Sequence, residues 1–379
     1  MYDLVVFSHL RWDFVYQRPQ HLLSRMARDR RVFFVEEPEH AEGPASIVAS
    51  SPCAGVTVLR ARTPVDSVGF SNAQLRVLEP LLRGCLAEQG VREAIAWFYT
   101  PMALPLLGAV PARAVVYDCM DELSAFDFAP PQLLQREAEL LQRADLVLTG
   151  GPSLYEAKKS RHPHVHCFPS AVDVAHFAPR AGRADDSDIA HPRLGFFGVI
   201  DERLDIGLIA ALAAAEPNWQ IVMVGPVVKI DPATLPRAAN IHWLGQQPYD
   251  ALPAFVQGWQ VCLLPFALNA ATRFISPTKT LEYMAAEKPV VSTAVQDVVK
   301  LYGDQIRVSA DADSFIAMCR SALAEDAAQR ATRVVAMRAA VARTSWDRTV
   351  HAMRTLLDGL ADEGETASPR RHAAPSLNY

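Results

Sequence analysis

Short apolar runs alternate with amphipathic segments along most of the chain. In the first half the apolar runs are LVVF, RVFFV, EAIAWFY, AVVYD, DLVLT and VHCF. Between them lie segments with apolar residues at helical spacing, such as PQHLLSRMAR, QLRVLEPLLRGCLAEQ and PQLLQREAELLQRA. Runs that are apolar throughout are typical of strands buried on both faces. The alternation therefore predicts an α/β fold in which helices cover both faces of a parallel sheet.

A polar stretch from Arg180 to Asp188 interrupts this pattern and has the composition of a linker. After it the alternation restarts with LGFFGV, DIGLIAALAAA, QIVMVG, NIHWLG, LPAFVQG, QVCLLPF, PVVST and QIRVS. We therefore predict two doubly wound, Rossmann-like domains over 1–178 and 179–345. Their strand ends should face a shared cleft, because ligands bind at the carboxyl ends of strands in such sheets.

The last helical pattern contains Trp346 and has no sheet of its own to cover. A lone helix must bury its apolar face, so residues 346–362 should return to the N-terminal domain. The remaining segment, 363–379, is polar with two prolines and is predicted to be disordered.

Composition narrows the function classes. The 379 residues are half hydrophobic, 21% are charged, and the net charge of −5 argues against nucleic-acid binding. The six cysteines are scattered without a C-x-x-C pair, which indicates neither a zinc site nor a disulfide framework. Because the N-terminus begins with a strand pattern and no apolar run is long enough to cross a bilayer, we expect a cytoplasmic protein.

One basic cluster allows two interpretations. Four arginines gather near the end of the first helical segment: Arg25, Arg28, Arg30 and Arg31. They are either the solvated end of a helix or a contact with an anionic membrane surface.

The common nucleotide-binding fingerprints are missing. Neither G-x-G-x-x-G nor a Walker P-loop follows any of the predicted strands. Gly198 does follow a strand, in LGFFGVIDERLD. It is either an ordinary turn glycine or a glycine that lets a phosphate approach the backbone at a helix start.

The stretch SPTKTLEYMAAEKPVV, residues 276–291, places Glu282 among apolar neighbours. A carboxylate is rarely buried without a partner, so this glutamate calls for a ligand or a structural explanation. Ser276 and Thr278 could cap the helix, and Pro277 suits its first turn.

At these residues the chain resembles a known family. SPTKTLEYMAAEKPVVST resembles the donor-site segment of family-four retaining glycosyltransferases of the GT-B fold. PSAVDVAHF, RLGFFGVIDERLD and IHWLGQQPYDALPAFVQGWQVCLLPF resemble the same family's interdomain segment, first C-terminal strand and pre-donor region. SHLRWDFVYQRPQHLLSR and YDCMDELSAF resemble a bacterial subgroup associated with cell-surface polysaccharide synthesis of the teichuronic-acid type.

The resemblance implies roles for individual residues. Glu282 would hold the ribose of a nucleotide sugar, while Arg203 and Lys279 would neutralise its diphosphate and act in catalysis. Arg203 could instead pair with Asp201 or Asp205, and Lys279 could be a surface lysine. The full set of predicted donor-binding residues is Gly198, Arg203, Gly245, Gln247, Ser276, Pro277, Thr278, Lys279 and Glu282.

Three features depart from the family pattern. Of the family's arginine and lysine spaced five apart after the first turn, only Arg203 stands in the matching loop, so Lys279 could supply the second charge. The first glutamate of the family's E-x7-E pair falls at Phe274, so recognition of the sugar must use other groups. The family's glycine after the donor helix is Glu287 here, which must tolerate or avoid a left-handed backbone.

The N-terminal half is expected to hold the acceptor. Asp118 and Asp121 follow a strand and could orient the acceptor hydroxyl as catalytic residues, or serve as loop carboxylates. Gln17 and Arg18 could contact the donor phosphate or the acceptor, or only cap a helix. The strand-end turn TGGPS at 149–153 allows the same two interpretations, and we expect His9 to be structural.

The sequence thus predicts a hexosyltransferase that moves a sugar from a nucleoside-diphosphate sugar to a saccharide or lipid-linked acceptor in bacterial surface polysaccharide synthesis. We expect it to retain the anomeric configuration, to need no metal or cofactor, and to lie in the cytoplasm or at the inner face of the membrane. The alternatives are a nucleotide-sugar epimerase of the same shape and a degenerate protein that binds a nucleotide sugar or polysaccharide without chemistry.

Overall fold

A computed structural model describes residues 2–127, 129–182 and 188–366, with backbone alone over 361–366. Fifteen strands are formed within this part of the chain. They are β1 (Asp3–Ser8), β2 (Val32–Glu36), β3 (Glu39–His40), β4 (Ser46–Cys53), β5 (Val56–Thr63), β6 (Ala94–Phe98), β7 (Ala112–Cys119), β8 (Leu146–Thr149), β9 (Val165–Cys167), β10 (Arg193–Phe197), β11 (Gln220–Val224), β12 (Ile241–Trp243), β13 (Val261–Leu264), β14 (Val290–Thr293) and β15 (Arg307–Ser309).

The same part of the chain contains twelve α-helices. They are α1 (Arg18–Met26), α2 (Asn72–Glu88), α3 (Leu133–Arg143), α4 (Pro152–Lys158), α5 (Val174–Phe177), α6 (Ile206–Ala215), α7 (Leu252–Gly258), α8 (Thr278–Ala285), α9 (Gln296–Tyr302), α10 (Ala312–Leu323), α11 (Ala327–Val341) and α12 (Trp346–Thr366). Short 3-10 helices occur at Pro101–Ala109, Leu123–Ala125, Pro232–Thr234 and Tyr249–Ala251.

The first sheet has the order β3-β5-β2-β1-β6-β7-β8-β9. Its central pairings are parallel, with Val5 opposite Phe33 on one side and Ala96 on the other. The six apolar runs predicted in the first half all form strands of this sheet. In addition, β4 pairs with β5 as an antiparallel hairpin, which was not predicted from the sequence.

The second sheet is parallel, with the order β12-β11-β10-β13-β14-β15. Side chains from its strands and from α8 form one hydrophobic core, which includes Leu281, Tyr283 and Met284. The two predicted doubly wound sheets are therefore present. The division at 178/179 stays a prediction, since the segment 183–187 lies outside the described residues.

The last helix, α12, returns to the N-terminal sheet as expected. Trp346, Val350, Met353 and Leu357 complete a core with residues of β1, β2 and α1. The indole of Trp346 stacks on the imidazole of His21 in α1, with ring centroids 4.7 Å apart. Residues 363–366 continue this helix, and the rest of the predicted tail, 367–379, lies outside the described residues.

The arginine cluster near the end of α1 holds this helix in place. Arg25 and Arg28 both pair with Asp347 of α12, and Arg25 also pairs with Asp173. The other two arginines of the cluster also pair with carboxylates: Arg30 with Asp29 and Asp358, and Arg31 with Asp3. These pairings favour the interpretation of the cluster as a helix end over a membrane contact.

Contacts across the cleft join the two sheets on both sides. On one side, the backbone N–H and hydroxyl of Ser153 at the start of α4 donate to the Asp297 carboxylate of α9, at 3.0 Å for each closest contact. A Cβ at Gly151 would lie 2.3 Å from Asp297 Oδ2, so this close approach requires glycine. On the other side, the ring of Tyr16 stacks on that of Tyr249 at 4.6 Å.

Candidate functional site

A cleft of about 700 Å³ lies between the carboxyl ends of the two sheets. Segments 12–18 and 120–121 form its N-terminal wall, and the loops after β10, β11, β12 and β13 form the opposite wall. Of the predicted site residues, it is lined by Gln17, Arg18, Asp121, Gly198, Arg203, Gln247, Ser276, Pro277, Thr278, Lys279 and Glu282. Asp118 and Gly245 are not part of its lining.

The first turn of α8 is directed at this cleft. Its N-cap is Pro277, and no side chain caps the helix, so the capping predicted for Ser276 or Thr278 is wrong. The carbonyl of Ser276 instead accepts from the hydroxyl of Ser170 at 2.8 Å. The backbone N–H groups at the start of a helix carry partial positive charge and favour an anion when no side chain occupies them.

Glu282 lies one turn further along α8 and is 5% exposed. Its Oε2 atom is buried and has no hydrogen-bond partner among the described residues. Burial raises the pKa of Glu282 to about 7, against the opposing effect of Lys279. The neighbouring Leu281 and Tyr283 belong to the hydrophobic core, whereas Glu282 lines the cleft. Packing of the buried face of α8 therefore holds the Glu282 carboxylate at the cleft. An unpartnered carboxylate in a cleft suits a ligand with hydroxyl donors.

Lys279 shares a face of α8 with Glu282, three residues before it. Its ammonium lies over the rings of Phe196 and Phe197, at 5.8 and 6.0 Å from their centroids. Burial lowers the pKa of Lys279, although the charge of Glu282 partly offsets the effect. Its side chain lies half-buried in the cleft wall, so it is not the solvated surface lysine of the alternative interpretation, and within the described residues it makes no ion pair with a carboxylate.

Gly198 is necessary for this arrangement. Its φ is +142°, and a Cβ there would lie 2.0 Å from Lys279 Cε and 2.7 Å from Nζ. The strand-end glycine thus makes room for the lysine side chain as well as for the backbone turn.

Arg203 forms a bidentate ion pair with Asp201, one of the two partners considered in the sequence analysis. Its Nε donates to Oδ1 at 2.9 Å and its Nη2 to Oδ2 at 2.6 Å. Burial acts to lower the pKa of Arg203, but the hydrogen bonds to Asp201 and the charges of Asp201, Asp121 and Glu202 together raise that pKa above its usual value. Asp205, the other candidate, caps α6 by accepting from the N–H of Leu208. Arg203 therefore lines the cleft in a fixed orientation.

Asp121 is the carboxylate of the N-terminal wall. Burial raises the pKa of Asp121 to about 6, while Arg203 and Lys229 oppose the increase. Its side chain accepts no hydrogen bond within the described part of the chain. It can therefore accept a hydrogen bond from a ligand hydroxyl in the cleft.

Asp118 lies behind the cleft wall, and the geometry does not support its predicted catalytic role. It is fully buried, and Oδ1 accepts from Nη2 of Arg18 at 3.0 Å. The Arg18 guanidinium also donates to the carbonyl of Phe168 at 2.8 Å, and the Arg18 side chain is only 4% exposed. These two residues form a buried ion pair that fixes the start of α1, so Arg18 reaches the cleft only as part of its wall.

The remaining predicted residues have mostly backbone roles. The carbonyl of Gly245, whose φ is +68°, accepts from the N–H of Gly225 at 2.8 Å. Gln247 reaches the cleft while its amide donates to the Leu244 carbonyl at 3.1 Å. Gln17 precedes α1, with its N–H bound to Gln20. The imidazole of His9 is kept neutral because burial lowers its pKa to about 4.

The departures at positions 274 and 287 have physical explanations. Phe274 does not line the cleft but packs against the N-terminal core. Glu287 adopts the left-handed backbone, with φ of +58°, and its carboxylate accepts from Arg338 at 2.6 Å. The glutamate thus occupies the position that favours glycine.

One important residue, Tyr249, was not predicted from the sequence. It adjoins predicted residues but follows a turn motif without periodicity. The available signal was its position four residues after Gly245, the glycine that follows β12.

Comparisons with known proteins agree with this geometry. Residues 191–325 match the family model described as glycosyl transferases group 1. The match covers the C-terminal half of the two-domain architecture described above. Over 273 residues it is 25% identical to TuaH of Bacillus subtilis (strain 168), named as a glycosyltransferase of teichuronic acid biosynthesis, with 66% of this chain and 68% of that protein covered.

Solved structures of glycosyltransferases share the fold of this one. Sucrose-phosphate synthase from Thermosynechococcus elongatus has a TM-score of 0.72 at 17% identity, covering 96% of this chain and 100% of its own. HepE of Anabaena, in complex with UDP, has a TM-score of 0.65 at 14% identity, covering 95% and 100%. The predicted glycosyltransferase class and GT-B fold are confirmed. Over the described residues, no helix is long and apolar enough to cross a membrane.

Proposed function

We propose that this glycosyltransferase transfers a sugar from a nucleoside-diphosphate sugar to a saccharide or lipid-linked acceptor. The observation that carries the proposal is the arrangement on α8. Among the described residues, a helix start without a side-chain cap, an ammonium without an ion pair and a carboxylate oxygen without a hydrogen-bond partner line one cleft. The diphosphate of a nucleotide would match the helix start and the ammonium, and the hydroxyls of the adjacent ribose would match the carboxylate. The HepE structure, which contains UDP, supports a nucleotide in this fold.

The chemistry requires stabilisation of the leaving diphosphate. Negative charge builds on the β-phosphate as the sugar leaves, and fixed donors aimed at that charge lower the barrier. In this chain the donors are the first-turn N–H groups of α8, the Lys279 ammonium and the Arg203 guanidinium. These groups support a metal-independent reaction. Retention of configuration is proposed from the resemblance of the donor segment.

The acceptor would enter from the N-terminal wall, where Asp121 faces Arg203 across the cleft. Its carboxylate would orient the acceptor hydroxyl by accepting a hydrogen bond from it. Since a pKa of about 6 leaves Asp121 mostly ionised at neutral pH, this role is available under cytoplasmic conditions. The likeness to TuaH supports a role in bacterial surface polysaccharide synthesis, with the enzyme in the cytoplasm or at the inner face of the membrane.

A non-catalytic binding protein is the second candidate, and Phe274 is the observation that favours it. The side chain at this position packs on the N-terminal core rather than lining the cleft, so it supplies no carboxylate to the sugar. Asp121, whose carboxylate is not needed to bind a nucleotide sugar, favours activity.

A nucleotide-sugar panel tests the proposal. Incubation with UDP- and GDP-sugars should give transfer to an acceptor or slow hydrolysis. Epimerised nucleotide sugar would instead identify an epimerase, and binding without turnover would identify a binding protein.

A set of charge variants tests the assignment of the phosphate site. Lys279→Ala and Arg203→Ala should each weaken nucleoside diphosphate by roughly 1.5–3 kcal/mol, as expected for charge-assisted hydrogen bonds. Binding of the uncharged nucleoside should change far less. Arg320→Ala removes an exposed arginine of α10 that pairs with Glu216 and serves as the matched control. Equal losses for diphosphate and nucleoside would mean that the two cations only support the fold.

A further inference from the structure

Two buried oxygens in the cleft lack hydrogen-bond partners among the described residues. One is Oε2 of Glu282, and the other is the hydroxyl oxygen of Tyr249. Both residues line the cleft, and neither oxygen is bonded to the other. Buried polar groups are normally satisfied, so a pair of unsatisfied oxygens in one cleft indicates a polar ligand that reaches both.

The ring of Tyr249 is already occupied on its two faces. It stacks on the imidazole of His176 at 4.2 Å with an interplanar angle of 2°, and on the ring of Tyr16 at 4.6 Å. The edge of His21 approaches at 5.5 Å. Tyr249 therefore cannot serve as a stacking platform for a base or a sugar ring. Only its hydroxyl remains for a ligand, and the stack fixes where that hydroxyl lies.

The charges around this hydroxyl keep it protonated. Burial raises the pKa of Tyr249, and the nearby charge of Glu282 raises it further. A phenol that keeps its proton can both donate and accept a hydrogen bond, whereas an ionised carboxylate can only accept. A ligand that satisfies both oxygens must donate to Glu282 and also offer an oxygen to Tyr249. Vicinal hydroxyls meet this requirement.

We propose that Tyr249 is a specificity-determining residue of the donor site, whose hydroxyl and the Glu282 carboxylate together hold the vicinal diol of the donor's ribose. The inference rests on the proposed function and adds to it a second residue that recognises the ribose. One ribose hydroxyl donates to Glu282, and its oxygen or that of its neighbour accepts from Tyr249. Because Tyr16 belongs to the N-terminal wall, ribose recognition then depends on a ring that both sides of the cleft hold in place.

Calorimetric titration of Tyr249→Phe tests the inference. This substitution removes the hydroxyl and keeps the ring and both of its stacking contacts. The ligands are UDP and GDP, with the 2′-deoxy and 3′-deoxy forms of whichever base the wild type prefers. Tyr249→Phe should bind the ribonucleotide about tenfold more weakly, the loss expected for one hydrogen bond. With the deoxy form that lacks the relevant hydroxyl, wild type and variant should bind almost equally.

Two controls separate ribose recognition from a structural effect. Tyr155→Phe removes a hydroxyl from α4, outside the cleft lining, and should bind every ligand as the wild type does. Inorganic pyrophosphate should bind Tyr249→Phe as tightly as wild type, since it contacts only the phosphate site. In addition, the losses from Tyr249→Phe and Glu282→Gln should not add in the double variant, because both residues hold the same diol.

Three results would overturn the inference. Unchanged affinity of Tyr249→Phe for the ribonucleotide would mean that the hydroxyl touches no ligand. An equal loss for ribo and deoxy forms, or for pyrophosphate, would assign Tyr249 a structural role while leaving the proposed function intact. A wild type that binds none of these nucleotides would overturn the proposed function together with the inference.

Discussion

Replacing Glu282 by glutamine should stabilise the empty protein at alkaline pH and weaken its binding of the donor. The carboxylate is buried in the absence of ligand, and its Oε2 has no partner among the described residues. The folded protein therefore disfavours the charged form of Glu282 until a donor arrives. A residue that costs stability and supports binding is a recognisable sign of a functional site.

The magnitude follows from the pKa. Glu282 rises from 4.5 to about 7 on folding. A shift of this size corresponds to roughly 3 kcal/mol of lost stability once the group is ionised in both states. The glutamine amide would itself remain unpaired at a cost of about 1–2 kcal/mol, so the net gain should be about 1–2 kcal/mol.

The sign of the pH dependence is specific. Below pH 4.5 the carboxyl is protonated in folded and unfolded chains alike, so the cost of its charge is absent. The cost grows as the pH rises from 4.5 through about 7 and is constant above that range. The stability advantage of Glu282→Gln should grow over the same range. Asp121, which titrates in the same cleft, is present in both proteins and largely cancels in the comparison, whereas the variant also loses the upward effect of the Glu282 charge on the pKa of Lys279.

Urea unfolding of both proteins at pH 5 and pH 8.5 measures the stability difference. Calorimetry with UDP or GDP at pH 8 measures the binding difference, which should favour the wild type by about 1.5–3 kcal/mol. Wild-type affinity should also fall as the pH drops below 7, since protonation removes the acceptor. The phosphate and Asp121 titrate near pH 6 as well, and the variant retains both of these contributions without that of Glu282. A variant less stable than wild type at pH 8.5, with unchanged nucleotide affinity, would refute this account of Glu282.

The other predictions concern backbone geometry and packing. Gly198→Ala should weaken nucleoside-diphosphate binding by up to the roughly 1.5–3 kcal/mol expected for Lys279→Ala, because the added Cβ displaces the end of the Lys279 side chain; wild-type affinity in calorimetry would contradict this. Glu287→Gly should raise the free energy of unfolding by about 0.5–1 kcal/mol, since it relieves a positive φ and loses only an exposed ion pair with Arg338. Trp346→Ala should cost about 3–5 kcal/mol in denaturant unfolding, and a cost below 1 kcal/mol would show that α12 contributes little to the N-terminal core.

The sequence predicted the parts of the fold that local pattern controls. Apolar runs such as those of β1 and β13 are buried on both faces, so their periodicity alone identifies them. The return of α12 followed from one argument, that a helix carrying Trp346 must bury its apolar face. The hairpin of β4 and β5 was missed because β4 is mostly exposed and carries no continuous apolar signal.

The site was harder to predict because it depends on three-dimensional partners. Asp118 and Asp121 lie three residues apart and were equivalent candidates in the sequence. Asp118 forms a buried ion pair with Arg18, 100 positions away, whereas Asp121 remains available at the cleft. No local pattern reveals such a pairing. In the same way, Tyr249 gains its importance from rings in α5 and in the loop before α1, which only the folded chain brings together.

The return of α12 also has a consequence for synthesis on the ribosome. The core beneath β1 and β2 includes residues as late as Leu357, so the first sheet cannot be fully covered while the second half is still being made. At translation rates of about 5–20 residues per second, that apolar face stays uncovered for on the order of ten seconds or more. The C-terminal sheet, which needs nothing later than α11 for its own core, can be complete before the N-terminal one. In this protein the half that is translated first should be the half that finishes folding last, and chaperones that bind nascent chains should contact it for longest.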